Sequence, residues 1–242
     1  MSLLIITSTV NVNSCLTVLI DPKVRLEQYI DSILFYLKSK VIDKIIVCDN
    51  SGFDYSGITE IYEQSNKNSK IIEFLNFQGT VNKIQKYGKG FGEGEIMSFV
   101  FNNSKLITHE ELSFLKVTGR LKILNVDTIL ESVKPNTNYF QAVNLNPFVN
   151  LKKVDTRFYQ CTKQNFNFFL ENCYKKVNDS DGFFLEHVYY DKLIEEKIEF
   201  ERFRILPNFL GISGSTGGVY KMSYSEFWLR QILYTMFNGF KN

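Results

Sequence analysis

The sequence has little of the material that marks disulfide-bonded, metal-binding or nucleic-acid-binding proteins. Its 242 residues include only four cysteines, two histidines and four prolines. The cysteines form no C-x-x-C pair and show no metal-ligand spacing, so we expect free thiols in a reducing compartment. Lysine and arginine together number 28, against 26 acidic residues. This near balance lacks the basic excess of a dedicated DNA-binding protein, and we expect no nucleic-acid partner.

Long hydrophobic runs are also lacking. The apolar segment Met1 to Val10 has no basic leader and breaks at Asn11, which favours a buried first strand over a signal peptide. No other window reaches the roughly 20 apolar residues that a membrane-spanning helix needs. We therefore expect a cytoplasmic protein, and peripheral association with the inner face of the membrane stays open.

What the chain does have is the composition of a globular protein, 44% hydrophobic and 22% charged. It carries no repeat, low-complexity tract or obvious linker, so we predict one domain over residues 1–242. The 22 phenylalanines and 13 tyrosines fill a core or offer stacking surfaces for bases and sugars. Core filling is the default interpretation.

The N-terminal part reads as a β–α–β unit. Ser2 to Val10 is a predicted strand, Arg25 to Lys38 has the apolar spacing of an amphipathic helix, and Lys44 to Cys48 is a short buried strand. This order predicts an α/β fold with a mostly parallel central sheet flanked by helices. Ligands of such sheets bind beyond the carboxyl ends of the strands. The residues predicted at that edge are Asp49, Asn50 and Ser51.

Further elements follow along the chain. Strands are predicted in Lys70 to Phe74, Phe114 to Val117 and Tyr139 to Asn144, and helices in Ile96 to Asn103, Thr162 to Lys175, Phe183 to Glu196 and Tyr224 to Phe237.

A glycine-rich segment, Gly88 to Gly94, precedes one of these helices. Four glycines and Lys89 in front of a helix favour an anion site, with a phosphate held by Lys89 and the backbone around Gly90. The segment is neither a Walker loop nor a dinucleotide-binding fingerprint. The alternative is a flexible turn.

Thr118-Gly119-Arg120 follows the predicted strand Phe114 to Val117 directly. Arg120 should therefore project at the carboxyl edge of the sheet, where a guanidinium can bind a diphosphate with two hydrogen bonds. The alternative is a surface arginine. Asp155-Thr156-Arg157 is a second, weaker polar triplet, for which a structural ion pair is an equal interpretation.

Carboxylates occur late in the chain. Asp179 and Asp181 resemble an Asp-x-Asp metal clasp, although such spacing is frequent in turns that cap helices. Glu186 lies on the following predicted helix, where it can face a pocket and act as a general base. Helix capping or a salt bridge is the alternative.

The segment Gly211 to Gly218 is rich in glycine and hydroxyl groups. Ser213 and Ser215 are candidates for a loop that orders over phosphates, and a plain mobile connection is the alternative. The nucleophile elbow Gly-x-Ser-x-Gly at a strand–helix junction is absent, which argues against hydrolase chemistry.

Together these segments resemble the GT-A-type glycosyltransferases of bacterial surface-polysaccharide and lipopolysaccharide assembly. The resemblance spans most of the chain. It rests on Val47 to Ser51, Gly88 to Glu95, Phe114 to Arg120 and the acidic helix with Glu186. It implies a GT-A, Rossmann-like fold and a nucleotide-sugar donor.

The resemblance also implies roles for individual residues. In that family, acidic or amide residues after the second strand bind the base or ribose of the donor, which implies this role for Asp49, Asn50 and Ser51. Most members carry an Asp-x-Asp metal motif where this chain has Thr118-Gly119-Arg120. We therefore predict a metal-independent reaction in which Arg120 and Lys89 neutralise the leaving diphosphate, and we assign no metal ligand. A divalent cation, Mg²⁺ or Mn²⁺, stays open as a cofactor.

The predicted reaction moves the sugar to a saccharide or lipid-linked saccharide acceptor. Glu186, or second Asp181, would remove the proton of the acceptor hydroxyl. Two alternatives are a sugar nucleotidyltransferase, which would release pyrophosphate, and a non-catalytic glycan-binding subunit, which would bind glycan without nucleotide.

Overall fold

The computed structural model describes residues 2–12, 18–108, 112–142, 151–214 and 216–238. The strands are β1 (Ser2–Ser8), β2 (Ile42–Asp49), β3 (Ile71–Asn76), β4 (Ser113–Thr118), β5 (Leu121–Ile123), β6 (Tyr139–Ala142), β7 (Val154–Thr162), β8 (Phe209–Ile212) and β9 (Val219–Tyr220). The α-helices are α1 (Pro22–Leu37), α2 (Thr59–Lys67), α3 (Val81–Tyr87), α4 (Lys89–Asn103), α5 (Val126–Ser132), α6 (Lys163–Asn165), α7 (Leu185–Glu195) and α8 (Tyr224–Asn238).

The larger sheet has the strand order β3-β2-β1-β4-β7-β6. The pairs β3–β2, β2–β1 and β1–β4 are parallel, whereas β7 is antiparallel to both of its neighbours. Five of the six strands therefore run in one direction. The predicted fold class, α/β with a mostly parallel central sheet flanked by helices, is confirmed.

Strand β1 shows why this sheet lies in the middle of the molecule. Leu3 and Ile5 belong to one hydrophobic cluster, and Leu4 and Ile6 belong to another. Because successive side chains of a strand point to opposite faces, β1 contributes to a core on each side of the sheet. All four residues are at most 2% exposed. Such a strand must be covered by helices on both faces.

The helices divide between those two faces. Residues of α4 and α7, including Met97, Val100 and Val188, pack in the cluster that contains Leu3 and Ile5. Residues of α1, α2 and α5 pack in the other cluster. The result is the three-layer arrangement typical of α/β folds.

Helix α1 begins three residues before the predicted start. The side chain of Asp21 caps it by accepting hydrogen bonds from the backbone N–H groups of Lys23 (2.9 Å) and Val24 (3.4 Å), and Pro22 occupies the first turn. Both features favour a helix start, because proline has no N–H to leave unpaired there.

A smaller three-stranded sheet has the order β5-β8-β9. Its first strand, β5, follows β4 after only Gly119 and Arg120. The small sheet therefore begins at the carboxyl edge of the large one, and it forms a wall above that edge.

The prediction of a helix over Thr162 to Lys175 was wrong in part. Strand β7 continues to Thr162, and only short helical turns follow, including a π-helical turn at Phe166–Leu170. Strand β7 escaped prediction because it buries polar side chains, among them Asp155 and Gln160, which hide its hydrophobic pattern. The predicted strand Tyr139 to Asn144 is present as β6, and its last two residues lie outside the described part of the chain.

Helix α8 agrees with the prediction. Tyr234 is buried and donates a hydrogen bond to the backbone oxygen of Phe203, while Trp228, Leu229 and Ile232 are exposed on the outer face. In the described ranges no helix combines the length and the apolar character needed to cross a bilayer.

Candidate active site

A cavity of about 650 Å³ opens at the carboxyl edge of the large sheet. The ends of β1 and β4 contribute Thr7 and Thr118 to its wall, and Asn50 enters from the end of β2. In the order β3-β2-β1-β4, strands β2 and β3 are added on one side of β1 and β4 on the other, so the gap between β1 and β4 is a topological switch point. Ligands of open α/β sheets bind at such a point. We therefore regard this cavity as the candidate active site.

Gly119 allows the two strand ends to approach each other. Its N–H donates to the backbone oxygen of Thr7 at 3.0 Å, and a Cβ added to it would lie 2.3 Å from that oxygen. Any side chain here would push β4 away from β1. The close contact between β1 and β4 therefore explains why residue 119 of the Thr118-Gly119-Arg120 triplet is a glycine, which the sequence pattern did not show.

Arg120 lies in the cavity wall. It is 8% exposed, its Nη1 donates to Gln28 Oε1 at 3.0 Å, and its guanidinium carbon is 5.9 Å from the ring centre of Tyr29. Burial lowers its pKa, but an arginine stays protonated at neutral pH. The structure thus presents a fixed, partly desolvated positive charge to the cavity.

Of the three residues predicted to bind donor after β2, Asn50 lines the cavity. Its Oδ1 accepts from Thr9 Oγ1 at 2.6 Å, and its Nδ2 donates to the Gly92 oxygen at 3.3 Å. These bonds fix the orientation of the amide between β1 and α4. The structure places Asn50 at the cavity, as predicted.

Asp49 and Ser51 have structural contacts instead. The fully buried carboxylate of Asp49 accepts hydrogen bonds from Ser8 Oγ (2.7 Å), from the backbone N–H groups of Val10 (2.9 Å) and Phe53 (3.1 Å), and from Ser51. Five hydrogen bonds to one carboxylate fasten the loop after β1 to the loop after β2. Neither side chain lines the cavity.

The glycine-rich segment is helical, not a loop, which corrects our expectation. Helix α4 begins at Lys89, seven residues before the predicted start at Ile96. The N–H of Gly90 donates to Asp179 Oδ2 at 3.1 Å, so a carboxylate of the protein already lies at this helix start. Lys89 and Gly90 both line the cavity. A phosphate at this position would have to share the helix start with Asp179.

The glycines of this segment allow close packing. A Cβ on Gly88 would lie 2.2 Å from Asp179, and one on Gly94 would lie 2.1 Å from the Cβ of Tyr174. Gly88 also has a φ of 96°, which favours glycine. Small size and this conformation explain the composition of the segment without a bound phosphate.

The structure separates the two candidate bases. Glu186, in the first turn of α7, is half-buried, lines the cavity and makes no hydrogen bond to another described residue. Asp181 is exposed, accepts from Asn178 Nδ2 at 2.6 Å and is not part of the cavity wall. The geometry therefore leaves Glu186 as the candidate base that can reach a ligand in the cavity.

A buried ion pair lies beside Glu186 and was missed in the sequence. Lys116, 1% exposed on β4, donates to Glu93 of α4, to Thr118 Oγ1 at 3.0 Å and to the Thr156 oxygen at 2.7 Å. Burial lowers the pKa of Lys116, and the charges of Glu186 and Asp155 raise it again in part. The signal available in the sequence was a lysine inside an otherwise apolar strand.

In the triplet Asp155-Thr156-Arg157, Asp155 and Arg157 form an ion pair, which was one of the two interpretations of this sequence. Arg157 donates to both carboxylate oxygens of Asp155, from Nη2 at 2.6 Å and from Nε at 2.9 and 3.2 Å. Its guanidinium carbon lies 4.4 Å from the ring centre of Phe209 and 5.0 Å from that of Tyr220. The arginine thereby joins the small sheet to the large one at the cavity.

Ser213 lies in the cavity wall at the end of the small sheet. It is 8% exposed, and its Oγ accepts from the N–H of Thr216 at 3.2 Å. Ser215, the other hydroxyl candidate of this segment, lies outside the described residues.

The described residues around the cavity do not form a recognisable divalent-metal site. Within the described ranges no group of three or more histidine, cysteine, aspartate or glutamate side chains is placed to hold a metal ion. Arg120, which lies in the cavity wall, carries a guanidinium that cannot ligate a cation.

Comparisons with known proteins give a distant likeness in fold. No family model matches the chain, and no curated protein matches its sequence. Among solved structures, one of CMP:2-keto-3-deoxy-manno-octonic acid synthetase complexed with CTP aligns over 98% of both chains, with 10% identity and a TM-score of 0.42.

Proposed function

We propose that the protein is a glycosyltransferase that moves a sugar from a nucleotide-sugar donor to a hydroxyl group of a saccharide acceptor. The observation that carries the proposal is that buried Arg120 and Glu186, which has no hydrogen bond to another described residue, line one cavity at the switch point of the sheet. Inverting transfer of an activated sugar uses both a positive charge that stabilises the leaving diphosphate and a base that removes the acceptor proton.

Arg120 is the residue proposed to hold the diphosphate. Gln28 occupies one nitrogen of its guanidinium, and the Nη2 nitrogen faces Gly214 of the cavity wall. A planar guanidinium held from one side can offer its remaining N–H groups to phosphate oxygens. Asn50, fixed beside β1, is proposed to contact the nucleoside.

Glu186 is the residue proposed as the general base. The acceptor oxygen forms a bond to the anomeric carbon while the bond from that carbon to the diphosphate oxygen breaks. The hydroxyl proton passes to the Glu186 carboxylate, and the nucleoside diphosphate leaves with the electron pair of the broken bond. A single displacement of this kind inverts the configuration at the anomeric carbon.

Glu93 is less suited to the same task. Its carboxylate already accepts hydrogen bonds from Lys116 and from Thr118 Oγ1 at 3.3 Å. The ion pair with Lys116 holds this carboxylate in place against β4. Glu93 is therefore proposed to fix Lys116 and the cavity floor.

A sugar nucleotidyltransferase is the second candidate, because the same cavity at the same edge would accept a nucleoside triphosphate. The two reactions differ in what they release. Glycosyl transfer yields a nucleoside diphosphate, and nucleotidyl transfer yields pyrophosphate. Product analysis separates them without knowledge of the acceptor.

The first experiment is a thermal-shift screen of the full chain against nucleoside mono-, di- and triphosphates and common nucleotide sugars, with and without Mn²⁺. We expect stabilisation by one diphosphate family that is lost in Arg120→Ala and kept in Arg230→Ala, an exposed arginine on α8 that pairs with Glu226. No shift with any nucleotide would contradict the proposal and favour a glycan-binding subunit.

The donor identified in this way is then used for turnover with a panel of saccharide acceptors. Glu186→Gln should lower turnover by about 10²-fold or more, because amide cannot accept the proton. Pyrophosphate as the product, or full loss of turnover in a chelator with recovery in Mg²⁺ or Mn²⁺, would contradict metal-independent glycosyl transfer.

A further inference from the structure

Six large apolar side chains on helix α8 are exposed to solvent. Their exposed fractions lie between 41 and 80%, and they are Tyr224, Trp228, Leu229, Ile232, Leu233 and Met236. Spacings of three and four residues recur within this set, which aligns the side chains along one side of the helix. We call the set the α8 face.

Polar contacts fix which side of α8 points outward. Tyr234 is 2% exposed, and its hydroxyl group donates to the backbone oxygen of Phe203. The Oε1 atom of Gln231 accepts from the N–H of Leu206 at 2.7 Å, and its Nε2 donates to the backbone oxygen of Arg204 at 3.3 Å. These bonds join α8 to the segment before β8 and hold the helix in one orientation about its axis. The α8 face is therefore a fixed, exposed surface of the protein.

The area of the α8 face matches the apolar part of a dimer interface. Six large side chains, each roughly half exposed, present on the order of 600 Å² of apolar surface, the upper end of the largest patch on a typical monomer. A stable interface buries about 800 Å² on each partner. In homodimers about 65% of that area is apolar, which is roughly 500 Å². One α8 face therefore supplies enough apolar surface for one half of a dimer interface.

The charges of α8 indicate what kind of partner covers this face. Glu226 and Arg230 are the only charged residues of the helix, and they pair with each other at 2.8 Å. Helices that lie on anionic membranes carry several lysines or arginines on their polar side, and α8 does not. Two copies of a neutral face meet without repulsion between like charges. Neutrality thus favours a second copy of this chain over an anionic lipid surface.

We propose that the α8 face is the interface of a homodimer, in which α8 packs against α8 of a second copy across a two-fold axis. Such an interface uses the same patch on both partners, so one self-complementary face is sufficient. Aromatic residues and methionine are enriched in interfaces, and Tyr224, Trp228 and Met236 supply them here. None of the described residues in the cavity wall belongs to α8. The inference therefore stands independently of the proposed function.

Sedimentation velocity of the full chain over about 1 to 100 μM tests the proposal. We expect a species of twice the mass of one chain that dissociates on dilution. Trp228, the one tryptophan of the sequence, reports on the same face without any substitution. Its fluorescence emission should move to shorter wavelength as the concentration rises, because the exposed indole becomes buried in the dimer. A protein that stays monomeric, or a dimer without this shift, would overturn the proposal.

A substitution on the α8 face connects dimerisation to that face. Leu229→Glu places a charge at a position that is 60% exposed in the single chain, so the fold should be kept, which circular dichroism verifies. The dissociation constant should rise by about 10²-fold or more, because each substitution occurs twice in a two-fold interface. Phe168→Glu is the control and should leave the dissociation constant unchanged, since Phe168 is 74% exposed on the separate turn Phe166–Leu170. Dimerisation of Leu229→Glu at wild-type strength, or equal loss in both variants, would overturn the assignment to α8.

A vesicle experiment separates a second copy from a lipid surface as the partner. The full chain is mixed with vesicles of phosphatidylcholine, with and without phosphatidylserine, and the vesicles are floated on a density gradient. We expect the protein to stay in the lipid-free fraction, because the two apolar faces of the dimer cover each other. Flotation of the wild type that is lost in Leu229→Glu would assign the α8 face to a membrane and overturn the proposal.

Discussion

The N–H of Gly90 donates a hydrogen bond of 3.1 Å to the carboxylate of Asp179, 89 residues further along the chain. A helix start exposes unpaired N–H groups and partial positive charge, and a carboxylate satisfies both. The contact therefore stabilises α4 and at the same time holds Asp179 at the cavity. The segment Gly88 to Gly94, which was predicted to bind phosphate, thus binds the carboxylate of Asp179.

Asp179→Ala should destabilise the fold by about 1 kcal/mol, because the start of α4 loses its carboxylate cap. Asp179→Asn keeps an oxygen acceptor and should lose less. Chemical denaturation followed by circular dichroism measures both, with Asp181→Ala as the control, since Asp181 is exposed outside the cavity wall. Equal stability of Asp179→Ala and the wild type would show that the Gly90 contact contributes little.

The same carboxylate predicts a pH dependence. Burial, with the charge of Glu186, raises the pKa of Asp179 above its ordinary 3.8, and the Gly90 hydrogen bond and Lys89 oppose this only in part. The folded state then binds the Asp179 proton more tightly than the unfolded state does. The contribution of Asp179 to the free energy of unfolding is therefore largest at low pH, and it falls as pH rises through the raised pKa.

Urea unfolding of the wild type and Asp179→Asn at steps from about pH 4 to pH 7 isolates this contribution, because asparagine does not titrate. The wild type should lose stability relative to the variant as pH rises. A relative gain would mean that the native site stabilises the charged carboxylate, contrary to the burial argument.

The fold was largely predictable because its signals are local. Continuous apolar strands such as β1 and the 3.6-residue spacing of α1 can be recognised from residues that are neighbours in the sequence. Strand β7 was missed because it buries the polar side chains of Asp155 and Gln160, and Gln160 is satisfied by the backbone of a separate segment, at Lys134 and Thr137. The helical start of α4 was missed because four glycines disfavour a helix locally, and contacts with distant residues, such as Asp179 at Gly88 and Tyr174 at Gly94, explain their presence.

The candidate site was predictable in part for the same reason. The rule that ligands bind at the carboxyl edge of a parallel sheet placed Asn50 and Arg120 at that edge, and in the structure both line the same cavity. It could not tell that the side chain of Asp49 turns inward to five donors. Nor could it show that Glu93 and Lys116 meet, since that pair depends on the packing of α4 over β4.

Lys116→Met should cost about 3 kcal/mol, because it leaves the Glu93 carboxylate at the cavity floor without its cation. This is the low end of the range for broken buried pairs, since the Glu93 side chain is 23% exposed and water can reach it. The double variant Lys116→Met/Glu93→Gln should recover part of the loss, because no uncompensated charge then remains.

Lys134→Met is the matched control for Lys116→Met. Lys134 pairs with Glu201 at 3.3 Å, but the two side chains are 63% and 46% exposed, and such surface pairs contribute at most about 1 kcal/mol. Free energies of unfolding from denaturant titration give all four values. If Lys116→Met and Lys134→Met cost the same, water screens the Lys116 pair as well, and the buried-pair argument is wrong.

Gly94→Ala tests whether the glycines of α4 exist for packing. Alanine normally stabilises a helix relative to glycine by about 1 kcal/mol, so local propensity alone predicts a gain. The added Cβ would lie 2.1 Å from the Cβ of buried Tyr174, and that atom cannot move without the backbone of its segment. We therefore expect a net loss of roughly 2 kcal/mol and a fall of several degrees in Tm.

Gly57→Ala is the control, because a Cβ there meets nothing within 4 Å and should change stability by less than about 0.5 kcal/mol. A Gly94→Ala protein as stable as wild type would return the segment to the phosphate-binding interpretation, since packing against Tyr174 would then not explain its glycines.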